Sequence, residues 1–251
     1  MVQVGVGSGG APVCDHLAMN GLRNWTLYDP ETLESINLVK HPRGRREIGK
    51  PKVDIQRNWI LDRNPSAIVT VRREDVFESQ TFRDEVSHCD LVLCCPDKRE
   101  VRSFVNSVAV EFRKPCVTGS VFRQGVGGEV YAYVPGQSGC FACMERIASE
   151  QGWNINDSIQ PTAHEQEMIY GHNVRDFQAS GLSMDIQMIA IIQARLSLDL
   201  LLDLSDRKFP AIPCNWIIFY NRPAPGSSAG GYFKAEQLRV RPRRDCQCAT
   251  S

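Results

Sequence analysis

Residues 2–10 read VQVGVGSGG, a short apolar strand pattern that runs directly into a glycine-rich turn. A helix pattern from Ala11 to Asn20 follows, so the local order is strand, glycine turn and helix. Glycine permits a tight turn and a close approach of the backbone to a ligand, and the N-terminus of the following helix attracts phosphate. The stretch therefore predicts a nucleotide-binding unit with Gly5, Gly7 and Gly10 in its loop.

The first half of the sequence continues this alternation of strand and helix patterns. Strands are predicted at Trp25–Tyr28, Ala67–Val71, Asp90–Cys95 and Pro115–Gly119, and helices at Val53–Asp62, Phe82–Val86 and Val101–Phe112. Regular alternation of this kind is typical of a parallel, doubly wound sheet with helices on both faces.

The second half changes character. Gly128–Val134 alternates like an antiparallel strand, and Asn215–Tyr220 and Tyr232–Lys234 are predicted to be its neighbours. Between them, a polar stretch at residues 150–180 is predicted to be a long surface connection, and Leu182–Leu204 a core helix. The predicted fold is therefore α/β, a Rossmann-like and mostly parallel sheet continued by antiparallel strands.

Composition excludes several classes of protein. The chain has 251 residues, which suffice for a large core, and its 29 basic and 29 acidic side chains give a net charge of +0. Zero net charge argues against nucleic-acid binding, and apolar runs stay well short of the roughly 20 residues of a membrane span. Ten cysteines spread through a chain that shows no signal-peptide pattern favour a reducing, cytoplasmic location.

Asp29 follows Gly10 at about the 20-residue spacing that places an acidic side chain on a ribose hydroxyl. This spacing strengthens the prediction of nucleotide binding over that of a merely structural turn. It does not choose the nucleotide, because NAD, FAD and ATP all use this geometry.

The loop after Asp29 is unusually long and basic, and it favours a triphosphate. Its polar and basic side chains are Asn37, Lys40, Arg43, Arg45, Arg46, Lys50 and Lys52. A dinucleotide needs few cations here, whereas a triphosphate that loses pyrophosphate needs lysine near its β and γ groups. Any single arginine of such a loop is more commonly just solvated, but Pro51 fixes the start of a helix and thereby aims Lys52 inward.

Asp97 follows the apolar strand that ends in Cys95, so it is predicted at the carboxyl edge of the sheet, where open α/β folds bind ligands. A carboxylate facing a triphosphate requires a cation between them, most simply Mg²⁺. The alternative interpretation is a helix N-cap for the segment that starts at Lys98.

Two cysteine pairs, Cys140 with Cys143 and Cys246 with Cys248, can supply the four thiolates of a structural Zn²⁺ site. The second pair has one intervening residue rather than two, which makes the geometry for chelation less favourable. A redox-active CxxC is the competing interpretation. It is disfavoured because Cys140 follows Gly139 in a predicted turn rather than opening a helix after a strand.

With these residues in hand, the sequence resembles the ThiF/MoeB family, the adenylating enzymes of sulfur-carrier and ubiquitin-like proteins. The matching motifs are Gly5 with Gly7 and Gly10, Leu27–Asp29, Ser35–Leu38, Gly49–Lys52, Cys95–Asp97 with Arg102, Gly125–Val134 and the two cysteine pairs. The resemblance spans nearly the whole chain and implies a single adenylation domain over residues 1–251.

The resemblance also implies roles for individual residues. It places Asp29 on the ATP ribose, Asn37 and Lys40 at the phosphates, Lys52 on the phosphates and Asp97 on Mg²⁺. Lys40 stands where the family commonly has arginine, which keeps the charge but loses the bidentate fork.

Three departures qualify the resemblance. The family's N-terminal helix, which delivers an arginine to the neighbouring subunit, has no counterpart, and we expect that it was trimmed or belongs to a longer polypeptide. The second cysteine pair is C-x-C. The crossover segment at residues 150–180, where some members place a nucleophilic cysteine, contains none. We therefore expect similarity to members that adenylate and hand over without a thioester of their own.

The implied reaction is attack of a carrier protein's C-terminal glycine carboxylate on the ATP α-phosphorus, releasing pyrophosphate. Lys40, Lys52 and Asp97-bound Mg²⁺ would offset the repulsion between the two anions. Gly119, Arg123 and residues 150–180 are expected to border the channel for the carrier tail, and a homodimer is expected by analogy.

Three alternatives stay open at this point. An NAD-dependent oxidoreductase explains the glycines and Asp29 but not the lysines together with Asp97. A non-catalytic partner subunit like the inactive halves of heterodimeric ubiquitin-activating enzymes is a further possibility, and so is a relative that acts on a small molecule or a tRNA base.

Overall fold

The computed structural model describes residues 1–122, 125–151, 182–202, 211–223 and 231–249. Within these ranges the strands are β1 (Val2–Val4), β2 (Asn24–Tyr28), β3 (Ile68–Arg72), β4 (Val92–Cys94), β5 (Cys116–Val121), β6 (Gly127–Tyr133), β7 (Trp216–Tyr220) and β8 (Lys234–Leu238). The helices are α1 (Gly10–Met19), α2 (Lys52–Arg63), α3 (Phe82–Ser87), α4 (Arg99–Glu111), α5 (Phe141–Glu150) and α6 (Ser183–Leu201).

The described strands form one eight-stranded sheet in the order β3-β2-β1-β4-β5-β6-β7-β8. The first five strands of this order pair in parallel, and β5 with β6, β6 with β7 and β7 with β8 pair antiparallel. The predicted α/β fold, a mostly parallel sheet continued by antiparallel strands, is confirmed.

Helices cover both faces of the sheet. One core lies under α3, α4 and α5 and contains Phe82, Val105 and Trp216. The other lies under α1, α2 and α6, where Leu17 and Ile189 are buried. Strand β4 is buried along its whole length because it is covered from both sides, which explains its uninterrupted apolar sequence.

The strand order reverses between β1 and β4. From β1 the chain passes to β2 and β3 on one side, and it then returns to β4 and β5 on the other. The carboxyl ends of β1, β2 and β4 therefore meet at one edge and leave a crevice where ligands of doubly wound folds bind.

The prediction for Tyr232–Lys234 is wrong in position and in neighbour. Tyr232 and Phe233 are turn residues before β8, they are 75% and 72% exposed, and only Lys234 belongs to the strand. Phe233 has a φ of 52°, which interrupts extended backbone. Strand β8 pairs with β7, whereas β6 lies between β5 and β7.

The long apolar helix is confirmed as α6, which ends at Leu201, before the predicted Leu204. It packs against α1 and against strands β5 and β6. Among the helices in the described ranges, none is both long and apolar enough to cross a membrane.

Candidate functional site

The glycine loop connects β1 to α1 and is closed by backbone contacts. Gly5 has a φ of +86°, and its amide donates to the Tyr28 carbonyl at 2.8 Å. A Cβ on Gly10 would lie 2.1 Å from the Gly5 carbonyl oxygen, so no side chain fits there. A Cβ on Gly7 would meet no protein atom within 4 Å, which leaves space above the loop for a ligand. The loop glycines therefore have distinct roles: Gly5 and Gly10 allow the turn to close, and Gly7 leaves space above it.

The side chain of Gln3 holds the glycine loop through hydrogen bonds, and the sequence analysis did not predict this role. Its side chain is fully buried in β1, and Nε2 donates to the carbonyls of Gly5 and Gly10 at 3.0 and 2.9 Å. Its Oε1 accepts a bond from the Cys14 thiol at 3.1 Å. A polar residue in the middle of an apolar strand was the signal that could have indicated it.

Asp29 lies at the end of β2 and joins the glycine loop to the basic loop. Its Oδ2 accepts the Val6 amide at 2.8 Å, and its Oδ1 accepts the Glu31 amide at 2.9 Å. Burial raises the pKa of Asp29, while the two amides and nearby Lys52 act to lower it. Each carboxylate oxygen can accept a further bond, so a role toward a ribose hydroxyl is compatible with this geometry.

Lys52 is the first residue of α2, as its position after Pro51 predicts, and it is 6% exposed. Its ammonium forms a salt bridge with the carboxylate of Glu31, whose side chain is 67% exposed. The backbone amide of Lys52 also donates to the Glu31 carbonyl at 3.0 Å. A buried cation is thus held beside Asp29, and its salt-bridge partner Glu31 is exposed enough for an incoming anion to replace it.

His41 supports the glycine loop and was not predicted. The Arg43 amide donates to His41 Nδ1 at 3.2 Å, so Nε2 carries the proton and donates to the Val6 carbonyl at 3.1 Å. Burial lowers the pKa of His41, and the charges of Lys52 and Arg43 act in the same direction. The ring is therefore a neutral structural link between the basic loop and Val6.

This link predicts a pH dependence of stability. Because the pKa of His41 is lower in the folded protein than in the unfolded chain, the unfolded state binds more protons as the pH falls below about 6.5. The free energy of unfolding should therefore fall as acid is added, and it should fall less steeply in His41→Gln. Melting temperatures between about pH 7.5 and pH 5.5 measure this. The control is His88→Gln at an exposed histidine; equal slopes in His41→Gln and the wild type would contradict the assignment.

Arg43 points into the protein rather than toward the glycine loop. Its guanidinium pairs with the Asp15 carboxylate, donates to Gln56 at 2.9 Å and lies 4.8 Å above the Trp59 ring. The following Arg45 and Arg46 line a separate cavity of about 560 Å³ beside Trp59. Some cations of the basic loop, namely Arg43, Arg45 and Arg46, therefore lie away from the carboxyl edge of the sheet.

Asn37 and Lys40 lie on the 3-10 turn that follows Asp29. The Asn37 side-chain oxygen accepts the Glu34 amide at 2.9 Å, which caps the turn. Lys40 is half-buried, and burial lowers its pKa. The structure gives Asn37 a local capping role, while phosphate contact by either residue stays a prediction.

Asp97 is exposed just beyond β4, at the edge shared with the glycine loop. The N-cap alternative is wrong, because α4 begins at Arg99 and its N-cap is Lys98. The Asp97 carbonyl accepts a bond at 2.9 Å from Arg102, whose side chain is buried in α4. Arg102 thus anchors the backbone of this loop and leaves the carboxylate facing outward.

The four predicted thiols lie together. Cys140 is 3.6 Å from Cys246, and Cys248 is 3.5 Å from both Cys143 and Cys246. All four sulfur atoms lie within 4.8 Å of one another. Tetrahedral Zn²⁺ with bonds of about 2.3 Å separates its sulfurs by about 3.8 Å, so the cluster has the dimensions of a zinc site.

One argument against a redox CxxC is wrong. Cys140 is the N-cap of α5, so the pair does open a helix. The spatial cluster favours a metal site instead, because each thiol has thiol neighbours at non-bonded distance and all four are free.

The sheet edge brings together the three loop glycines, Asp29, Lys52 and Asp97. Gly119 faces the buried side chain of Gln193 rather than open space. Arg123 and residues 152–181, which contain nearly all of the crossover segment, lie outside the described residues.

Part of this chain is similar in sequence to known proteins. Over 164 residues the chain is 28% identical to ubiquitin-like modifier-activating enzyme 5 of Arabidopsis thaliana, covering 59% of this chain and 38% of that protein. Over 148 residues it is 29% identical to molybdopterin-synthase adenylyltransferase of Escherichia coli (strain K12), covering 59% of each. The chain thus spans 38% to 59% of the length of these two relatives.

Solved structures of MccB have the same fold. E. coli MccB with ATP superposes with a TM-score of 0.70 at 18% identity, covering 98% of this chain and 64% of MccB. Microcin C7 biosynthetic enzyme MccB in complex with N-formylated MccA gives 0.72 at 17% identity, covering 99% and 66%. The ThiF family model matches residues 1–221, and the chain therefore belongs to the ThiF family.

Proposed function

We propose that this chain is a single ATP-dependent adenylation domain that activates the C-terminal carboxylate of a ubiquitin-like or sulfur-carrier protein and releases pyrophosphate. The observation that carries the proposal is the meeting of four features at the carboxyl edge of the sheet. These are the open glycine loop, the ribose-spaced Asp29, the buried ammonium of Lys52 and the outward-facing carboxylate of Asp97.

The glycine loop would hold the ATP phosphates through its backbone amides and the N-terminus of α1. A free lone pair on an Asp29 carboxylate oxygen would accept a hydrogen bond from a ribose hydroxyl. Lys52 would exchange Glu31 for a phosphate oxygen, so that its charge opposes the negative charge that grows on the leaving pyrophosphate. Lys40 and Asn37, on the 3-10 turn that follows Asp29, would add further contacts to the phosphates.

Mg²⁺ fits the residues present. The Asp97 carboxylate is exposed at the carboxyl edge, and no hydrogen bond or ion pair in the described part of the chain engages its oxygens. Mg²⁺ prefers one or two carboxylates combined with phosphate oxygens and water. When bound, it would neutralise phosphate charge, and the protein's part is to hold Asp97 toward the nucleotide.

The chemical step would form one bond and break one. A carboxylate oxygen of the carrier tail attacks the α-phosphorus, the bond from that phosphorus to the bridging oxygen breaks, and the electron pair leaves with pyrophosphate. This chain's residues supply orientation and cationic charge rather than a covalent intermediate. We further propose a structural Zn²⁺ on Cys140, Cys143, Cys246 and Cys248, a homodimer and a cytoplasmic location.

Pyrophosphate–ATP exchange tests the proposal. The protein should exchange labelled pyrophosphate into ATP only with Mg²⁺ and a carrier ending in glycine, and a carrier amidated at its C-terminus should be inactive. Calorimetric titration should show binding of ATP with Mg²⁺ and no binding of NAD. Binding of NAD instead would favour an oxidoreductase, while ATP binding without exchange for a panel of carriers would favour a non-catalytic subunit.

The glycine loop offers a paired prediction. Gly10→Ala places a Cβ 2.1 Å from a carbonyl and should destabilise the fold by about 1–3 kcal/mol. Gly7→Ala meets no protein atom, so its melting temperature should match the wild type, while ATP affinity falls at least about tenfold through contact with the phosphates. Thermal melts and ATP titrations separate the two effects. Wild-type ATP affinity in Gly7→Ala would exclude phosphate from the space above the loop.

A further inference from the structure

Gln193 on helix α6 reaches into the sheet at the end of β4. Its side chain is buried, and Nε2 donates to the carbonyls of Cys94 and Val117 at 3.1 and 3.0 Å. Cys94 ends β4, and its pairing with Thr118 is the last pair between β4 and β5. One amide group therefore ties the two strands together where their ladder ends.

The amide oxygen of the same Gln193 side chain contacts the next residue, Cys95. The Cys95 thiol lies 3.7 Å from Gln193 Oε1 and donates to it. Pro96 follows, and proline restricts the backbone of the residue before it. Gln193 thus forms hydrogen bonds with both Cys94 and Cys95, the residues that set the direction in which the chain leaves β4 toward Asp97. These contacts are called the Gln193 grip below.

Gly119 in β5 makes room for this grip. A Cβ at Gly119 would lie 2.2 Å from Gln193 Oε1 and 2.7 Å from its Cδ. Any side chain at residue 119 would push the glutamine out of its position. Gly119 therefore makes room for the Gln193 side chain, while its expected place beside the carrier channel stays a prediction.

Helix α6 also lies near the glycine loop. A Cβ on Gly9 would lie 3.9 Å from Ile186 Cγ2, and α6 packs along α1. One helix therefore contacts both the turn proposed to hold phosphate and the strand end that leads to Asp97. This placement gives α6 the means to fix the distance between the two parts of the site.

We propose that Gln193 is a positioning residue, which orients the Asp97 carboxylate toward the metal and nucleotide by holding Cys94 and Cys95. The inference rests on the proposed function. Without the amide, two buried carbonyls lose a donor and the Cys94–Asp97 turn gains freedom, so Asp97 meets the metal less often in its binding orientation. A purely structural glutamine would affect stability without a preference for metal.

Gln193→Leu, Gly119→Ala and the double variant test the proposal, with Gln187→Leu as the control at a half-buried glutamine on the same helix. ATP binding is measured by calorimetry with and without Mg²⁺, and folding by thermal melts. Each single variant should bind ATP about tenfold more weakly with Mg²⁺, with little change in its absence. The double variant should be no weaker than the singles because both changes remove the same grip.

Several outcomes would overturn the proposal. They are wild-type Mg²⁺-dependent binding in folded Gln193→Leu, an equal loss with and without Mg²⁺, and losses that add in the double variant. Should the wild type bind no ATP at all, the proposed function fails separately. The grip is then measured by alkylation of the Cys95 thiol with N-ethylmaleimide, read by mass spectrometry against Cys14.

Alkylation of Cys95 should be severalfold faster in Gln193→Leu than in Gln187→Leu, and equal rates would show that Gln193 does not hold the turn. If Gln193→Leu does not fold, Gln193→Met preserves the volume while removing the amide and takes its place in each measurement.

Discussion

Lys52→Ala is expected to lower pyrophosphate–ATP exchange by about a hundredfold to a thousandfold, the range typical for removing a preorganised group that stabilises transition-state charge. Lys52 is only 6% exposed, so its ammonium acts where water screens little. Its present partner Glu31 lies largely in solvent and can be displaced by a phosphate. Once the lysine is removed, Glu31 remains as an uncompensated negative charge beside the nucleotide. Exchange rates at saturating ATP and carrier measure the effect.

Lys50→Ala is the matched control for this experiment. Lys50 precedes Pro51 in the same loop, but its side chain is 54% exposed and pairs with Glu47 on the surface. Its removal should change the exchange rate less than about twofold, in line with the small energies of exposed ion pairs. Comparable losses in the two variants would mean that general loop charge, rather than the aimed ammonium of Lys52, supports the reaction. Thermal melts of both variants exclude unfolding as the cause.

The fold was predictable because its signals are local. The step from β1 through the glycine loop into α1 lies within about 20 residues and obeys known turn and helix chemistry. The alternation of apolar strands with helices then indicates a parallel sheet without any knowledge of distant contacts. Pro51 before Lys52 likewise marks the start of α2 from adjacent residues alone.

The supporting residues were not predictable because their partners are distant in sequence. His41 holds Val6 across 35 positions, and Gln193 holds Cys94 across 99, so no short motif contains either pair. Arg43 looked like one more loop cation, yet its contact with Asp15 crosses 28 positions. Phe233 shows the converse error, since an aromatic residue has strand propensity whether or not a neighbouring strand is available to pair with it.

Cys143→Ser is expected to destabilise the folded protein strongly. Cys143 lies in the first turn of α5, and its sulfur is 3.5 Å from that of Cys248, which is 105 positions away. A metal bound by these thiols would join the segment that contains Cys246 and Cys248 to the start of α5, and the complete ligand set exists only in the folded state. Loss of one ligand should lower the free energy of unfolding by about 3 kcal/mol, or the melting temperature by about 6–12 °C.

Cys214→Ser provides the control, because Cys214 is a half-buried free thiol outside the cluster. Metal content is measured by mass spectrometry on the purified protein, and melting is followed before and after a chelator. The wild type should carry about one Zn²⁺ per chain and should melt like Cys143→Ser once the metal is removed. A metal-free protein whose melting resists the chelator would contradict the zinc site. If the thiols of that protein were found in disulfides, the cluster would instead be redox-active, because a disulfide draws two sulfurs to about 2.05 Å whereas shared metal ligation keeps all four apart.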